Sequence, residues 1–157
     1  MRTITPCLWF DTDGEEAARF YTSVFPGSRI VEVTTYGSAG PRPEGMVMTV
    51  VFELAGQRFV ALNGGPEFAF SQAVSFQVLC ENQAEVDRYW EALSEGGEQG
   101  PCGWLQDRFG LSWQVVPTRL FELLSDPDRE RSQRVMAAML AMRKIELEPL
   151  ERAATAA

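Results

Sequence analysis

Residues 13–27 read DGEEAARFYTSVFPG and residues 82–96 read NQAEVDRYWEALSEG. A shift of 69 residues with no gap lays Asp13 on Asn82, Glu16 on Glu85, Arg19 on Arg88, Phe20-Tyr21 on Tyr89-Trp90 and Gly27 on Gly96. Each stretch opens with an N-cap residue followed three positions later by Glu, which is a capping-box pattern. In the first, Ala17, Phe20, Tyr21, Val24 and Phe25 recur at helical spacing until Pro26-Gly27 ends the run. Two helices of common origin are therefore expected, and the segments around them decide what the repeat is.

Both helices are preceded by a strand pattern: Ile4 to Phe10 before the first, Ala73 to Cys80 before the second. After the first helix come a strand over Ser28 to Tyr36, an irregular Gly/Pro loop over Gly37 to Gly45, and a hairpin of Met46 to Leu54 with Gln57 to Leu62 turning at Ala55-Gly56. After the second come a short stretch interrupted by Pro101, a strand around Trp104 to Gln106, a turn at Asp107 to Gly110 and a strand over Leu111 to Val116. Each half reads β-α-β-β-β. The expectation is an α+β fold in which two duplicated units form a curved mixed sheet, within one domain over residues 1–157: a first unit at 3–66, a second at 73–117 and C-terminal helices at 118–147. In that tail, Leu120, Phe121, Leu123 and Leu124 suggest a short helix. Asp126-Pro127 then reads as an N-cap with Pro at the first helical position of a long helix running to about Lys144. Its Val135, Met136, Met139, Leu140 and Met142 form an apolar face with two readings, core packing or a subunit contact. From Glu148 onward the chain is expected to fray.

Composition narrows the chemistry. The 157 residues contain 22 Asp and Glu against 14 Lys and Arg, a net charge of −8, and no histidine. Lack of histidine removes Ser-His-Asp and Cys-His catalysis, imidazole base chemistry and every His-containing metal cage. The acidic balance argues against nucleic acid and anionic membrane surfaces as partners. No segment reaches the roughly 20 apolar residues of a membrane span, so a cytoplasmic protein is expected. Cys7, Cys80 and Cys102 are widely spaced and odd in number, which reads as free buried thiols rather than a disulfide framework or zinc site. Cys102 as a nucleophile would need a neighbouring cation, and Glu53, Glu44 and Glu81 could act as general bases only with perturbed pKa values.

Local motifs add a resemblance. Leu8-Trp9-Phe10, Ala17 to Tyr21, Leu62 to Pro66 (LNGGP), Ser75 to Val78 (SFQV), Gly100 to Trp104 (GPCGW) and Asp107 to Pro117 (DRFGLSWQVVP) resemble the PhnB-like branch of the vicinal oxygen chelate superfamily. That superfamily contains glyoxalase I and extradiol dioxygenases, and members of the branch often carry the label 3-demethylubiquinone-9 3-methyltransferase. The resemblance runs from about Ile4 to Lys144 and implies a glyoxalase-like fold, a small-molecule ligand and a homodimer. Relatives of known activity hold a divalent metal with His, Glu or Gln from the first and last strands of each unit. Here the resemblance places Ser75 and Gln114 at two of those positions, a residue on or beside Pro6 at the third and one within Val60 to Asn63 at the fourth. Such neutral groups are too weak for a catalytic first-row metal, so no metal and no cofactor are expected. The chain also lacks the Gly-rich strand-turn-helix cradle usual for S-adenosylmethionine, which weighs against the methyltransferase label.

Strand alternation puts Ser75, Gln77, Ser112 and Gln114 on one polar face and Phe76, Val78, Trp113 and Val115 on the other. With Asn63 as an amide donor and Trp104 as an aromatic wall, these residues are the candidate ligand-binding set. For the first strand the repeat and the polarity disagree. The 69-residue shift turns Pro6, Leu8 and Phe10 toward the cavity, whereas polarity selects Cys7 and Trp9. Three functions fit: a metal-free small-molecule-binding module, an enzyme of the same superfamily with an atypical divalent metal site, and a dimeric structural or interaction protein.

Overall fold

The computed structural model describes residues 3–156 and forms two compact units, one up to Phe70 and one from Ser71. The first contains β1 (Cys7–Phe10), α1 (Gly14–Val24), β2 (Arg29–Thr35), β3 (Val47–Leu54) and β4 (Gln57–Asn63). Its sheet has the order β1-β4-β3-β2, with β1 parallel to β4 and the other pairings antiparallel. The second contains β5 (Ser75–Cys80), α2 (Gln83–Ser94), β6 (Glu98–Gln99), β7 (Trp104–Gln106) and β8 (Ser112–Pro117), in the same order β5-β8-β7-β6 with the same single parallel pair. The duplicated β-α-β-β-β reading holds. Three helices follow in the second unit: α3 (Thr118–Leu124), α4 (Arg129–Leu140) and α5 (Leu147–Thr155).

Regular pairing of the first strand starts later than the apolar run suggests. Pro6 has no N–H for the ladder, although its carbonyl accepts the Val60 N–H at 2.9 Å. The β3–β4 hairpin turns on Ala55 and Gly56 with φ of 47° and 88°, the left-handed pair a two-residue primed turn requires. In the first unit α1 packs its buried Ala17, Ala18 and Tyr21 on β3 and β4, where Tyr21, Phe52 and Phe59 form a stacked series with centroids 6.3 and 5.4 Å apart.

The two helices superpose at 69 residues as expected, with Ala17 and Tyr21 buried where Val86 and Trp90 are buried. The strands do not. Phe10 and Cys80 each end a strand and are both buried, yet they lie 70 positions apart. Two residues, Asp11 and Thr12, separate Phe10 from the Asp13 cap, whereas Glu81 alone separates Cys80 from Asn82. One residue has been lost from the strand-to-helix link of the second unit. Leu8 is therefore equivalent to Val78 and Cys7 to Gln77, which settles the register of the first strand. Leu8 and Phe10 are buried on the α1 side with Val50, Phe52, Phe59 and Ala61, and Cys7 and Trp9 occupy the opposite face with Val60 and Leu62.

The tail departs from expectation in two places. The N-cap of α4 is Asp128, not Asp126: its Oδ1 accepts the Glu130 and Arg131 N–H groups at 3.0 and 3.2 Å, while Asp126 accepts the Asp128 N–H at 2.8 Å and thereby sets up the turn. The helix stops at Leu140, and the segment expected to fray is instead the amphipathic α5. Leu150 and Ala154 of α5 join Val116, Leu120, Leu123, Val135 and Ile145 in a buried cluster, against which Met139 and Met142 pack. The methionine-rich face thus serves the core of its own unit, with Leu140 left exposed. The linker into α5 is pinned to the unit by its backbone. Met142 and Arg143 carbonyls accept the Cys102 and Gly103 N–H groups at 2.9 and 2.7 Å. The Gln83 side chain bridges the Ile145 carbonyl and the Leu147 N–H at 3.1 and 2.8 Å.

Candidate functional site

In the second unit Ser75 stands opposite Ser112 and Gln77 opposite Gln114 across the parallel β5–β8 pair, while Trp104 stands opposite Gln114 and Gln106 opposite Ser112 across β7–β8. Cross-strand partners share a face. Ser75, Gln77, Trp104, Gln106, Ser112 and Gln114 thus stand together, and Phe76, Val78, Leu105, Trp113 and Val115 occupy the other side with the buried residues of α2. Five of the six candidate residues are brought to one face of one sheet.

Gln114 is the hub of that face. Its Nε2 donates to Ser75 Oγ at 2.8 Å and its Oε1 accepts from Gln77 Nε2 at 3.5 Å. Ser112 beside it is 1% exposed, and its hydroxyl is the one buried side-chain polar atom without a hydrogen-bond partner among the described residues. An unpaired buried hydroxyl costs about 1–3 kcal/mol, and such a group in a native fold asks for a reason. Ser112 also lines a cleft of about 330 Å³ along the β6–β7 edge of the same face, together with Trp104, Gln106 and Gln99.

Asn63, the sixth candidate, lies elsewhere. It ends β4 in the first unit, is 2% exposed and sits on the α1 side. Its Oδ1 accepts the Gly14 N–H at 2.8 Å and its Nδ2 donates to the Val47 carbonyl at 3.1 Å. Asn63 therefore caps α1 from across the sheet, a task the capping-box pattern assigns to Asp13, whose side chain makes no capping bond. In the second helix the local pattern does hold, with Asn82 Oδ1 accepting the Glu85 N–H at 3.0 Å. The glycine pair after Asn63 is equally structural. A Cβ on Gly64 would lie 2.4 Å from the Trp9 ring, whose Nε1 donates to the Gly65 carbonyl at 2.8 Å.

The residue that sequence reading missed is Asp107. It is 3% exposed; its Oδ1 accepts the Phe109 and Leu111 N–H groups at 2.8 and 3.0 Å and its Oδ2 accepts the Trp113 indole N–H at 2.8 Å. One carboxylate thus closes the β7–β8 turn and fixes Trp113 on the α2 side, which leaves Ser112 and Gln114 on the other. The Asp-x-Phe-Gly-Leu-x-Trp spacing was the available signal.

The thiols and acids offer little reactive chemistry. Burial pushes the Cys80 thiol up to about 11 and also raises Cys7, so both favour the unreactive protonated form. Hydrogen bonds from Arg29 and Arg58 hold the Glu53 carboxyl below its usual range, the opposite of what a general acid near neutrality needs. The donor set does not fit a divalent metal. At the positions where the motif resemblance implies metal ligands the strands carry Ser75 and Gln114 in the second unit. In the first, the strand register puts Thr5 where Ser75 stands and Val60 where Gln114 stands. Among the described residues there is no group of three or more His, Cys, Asp or Glu side chains able to hold a metal ion.

Residues 2–116 match the protein family described as 3-demethylubiquinone-9 3-methyltransferase. The chain belongs to that family. The PhnB protein of Bacillus cereus, whose description carries the same methyltransferase name, is 35% identical with a TM-score of 0.67, over 74% of this chain and all of the other. A Pseudomonas aeruginosa protein (22% identity, TM-score 0.62, 74% and 98% covered) and the fosfomycin resistance protein FosX of Mesorhizobium loti (18%, 0.56, 79% and 97%) share the fold. These likenesses agree with the glyoxalase-like fold that the motif resemblance implies. No curated protein matches the chain. The family match ends at residue 116, short of the Lys144 to which the motif resemblance extends, so α3, α4 and α5 lie beyond it. No helix among the described residues is long and apolar enough to cross a membrane.

Proposed function

We propose that this PhnB-like protein binds a small, partly apolar organic molecule on the polar face of its second sheet, and does so without a metal. The observation that carries this reading is the Ser75–Gln114–Gln77 chain beside the buried, unpartnered Ser112 hydroxyl. These are neutral hydrogen-bonding groups, which orient a ligand but provide neither a Lewis acid nor a base. The methyltransferase description draws no support from the Asn63 to Pro66 segment, because the space a ligand phosphate or sulfonium would need at Gly64 is taken by the Trp9 ring. We place the protein in the cytoplasm as a homodimer; Val31 and Val33, both exposed on the edge strand β2, are apolar surface that a second copy can cover.

The test is the native mass spectrum of the untagged protein against its Gln114→Leu variant. Leucine keeps the volume of the hub and removes both of its hydrogen bonds. The wild type is expected to be a dimer carrying an organic adduct, and the variant to lose that adduct while its thermal midpoint moves by only a few degrees. An adduct held equally by both proteins would contradict the assignment of this face.

A further inference from the structure

The cleft along the β6–β7 edge has a polarity of its own, and it narrows the class of ligand. Gln99 Nε2 donates to Ser94 Oγ and Gln106 Nε2 donates to the Gly110 carbonyl, each at 3.1 Å. Each amide thus spends one of its two N–H donors inside the unit. The Gln106 Oε1 atom, the Glu98 carboxylate and the Ser112 hydroxyl have no side-chain partner among the described residues, and all three residues line the cleft on one face, Glu98 opposite Gln106 and Gln106 opposite Ser112. Neither Lys nor Arg lines it; the neighbouring Arg143 turns its guanidinium to the Gln99 carbonyl at 3.0 Å. Trp104 and Pro101 supply the apolar wall. A volume of about 330 Å³ holds a ring-sized molecule.

We propose that the cleft binds an organic cation, a small amine or amidine. Its ring lies against Trp104 and Pro101, and its N–H groups are received by Glu98, the Gln106 oxygen and the Ser112 hydroxyl. This assignment rests on the reading of the polar face as the ligand site, since Trp104, Gln106 and Ser112 belong to that face. It adds the charge of the ligand, which that reading leaves open. An anion is repelled by Glu98 and finds no Lys or Arg in the lining to pair with. A neutral amide forfeits the attraction of Glu98 and the cation–π contribution of Trp104.

The experiment uses three probes with one ring and three charges: benzamidine, benzamide and benzoate, titrated into the full chain by calorimetry. Benzamidine is expected to bind at least about tenfold more tightly than benzamide, with benzoate silent, and Glu98→Gln is expected to weaken benzamidine by about tenfold. The exposed Glu91 on α2 is the control, and Glu91→Gln is expected to leave binding unchanged, which separates the cleft from the general acidity of the chain. Equal binding of benzamidine and benzamide that Trp104→Ala abolishes would overturn the cation assignment and leave the polar-face reading standing. Failure of all three probes to bind, or benzamidine binding indifferent to Glu98→Gln, would also overturn it, while the adduct comparison for Gln114→Leu still decides the polar face separately.

Discussion

Asp107→Ala is expected to lower the thermal midpoint of the protein by about 10 °C or more. The carboxylate accepts from two backbone N–H groups and one indole N–H in a buried turn. Alanine leaves those donors without an acceptor, at about 1–3 kcal/mol each before any relaxation, so a loss of at least about 3 kcal/mol follows. The damage should be local as well as global, because Trp113 loses the bond that fixes its indole, and its fluorescence should shift on substitution. Asp107→Asn offers a graded comparison. It keeps one carbonyl oxygen for the backbone pair and turns an amide N–H₂ toward the Trp113 N–H, so about half the loss is expected. Equal stability of wild type and Asp107→Ala in a thermal melt would show that the turn is held by something else.

Leu150→Asp should be comparably severe. Leu150 is 0% exposed in the cluster formed by α3, α4 and α5. Truncating a buried leucine costs about 2–5 kcal/mol through lost burial and a residual cavity, and a carboxylate in the same place adds its desolvation. The expected result is release of α5, read by limited proteolysis as new cleavage within the 141–146 linker, together with a fall in the midpoint. A tail that frays from Glu148 onward would respond to neither. An unchanged digest for Leu150→Asp would therefore restore that reading.

Much of the fold was legible because the two helices repeat without a gap and the strands around them are bounded by clear turn chemistry. What was hidden had non-local causes. The register of β1 could not be read by extending the helix alignment into the strand, because the link before α2 is one residue shorter than that before α1. The cap of α1 is a side chain 49 residues away, so the Asp13–Glu16 pattern pointed to the wrong residue. Helix α5 was passed over because it is short, contains Pro149 and runs into Ala-Thr-Ala-Ala, while its Leu147, Leu150 and Ala154 still recur at helical spacing. The polar face was visible in the alternation of residues 75–78 and 112–115, since strand periodicity is a local property. The cleft was not, because β6 is two residues long and exists only through its pairing with β7. Asp107 was quoted within a motif but its role was invisible, since the indole it fixes is six residues away and both are buried.

The central claim is that ligand binding here needs no metal, and the direct measurement is metal content. The untagged protein, purified without chelators, is exposed in turn to excess Mn²⁺, Fe²⁺, Co²⁺, Ni²⁺ and Zn²⁺, dialysed, and analysed by inductively coupled plasma mass spectrometry. Ser75, Gln114, Thr5 and Val60 should retain far less than one ion per chain for every metal, and the organic adduct should survive the dialysis unchanged. Retention of about one ion per chain, lost in Ser75→Ala or Gln114→Leu, would contradict the account and make the protein a metal-dependent member of its superfamily.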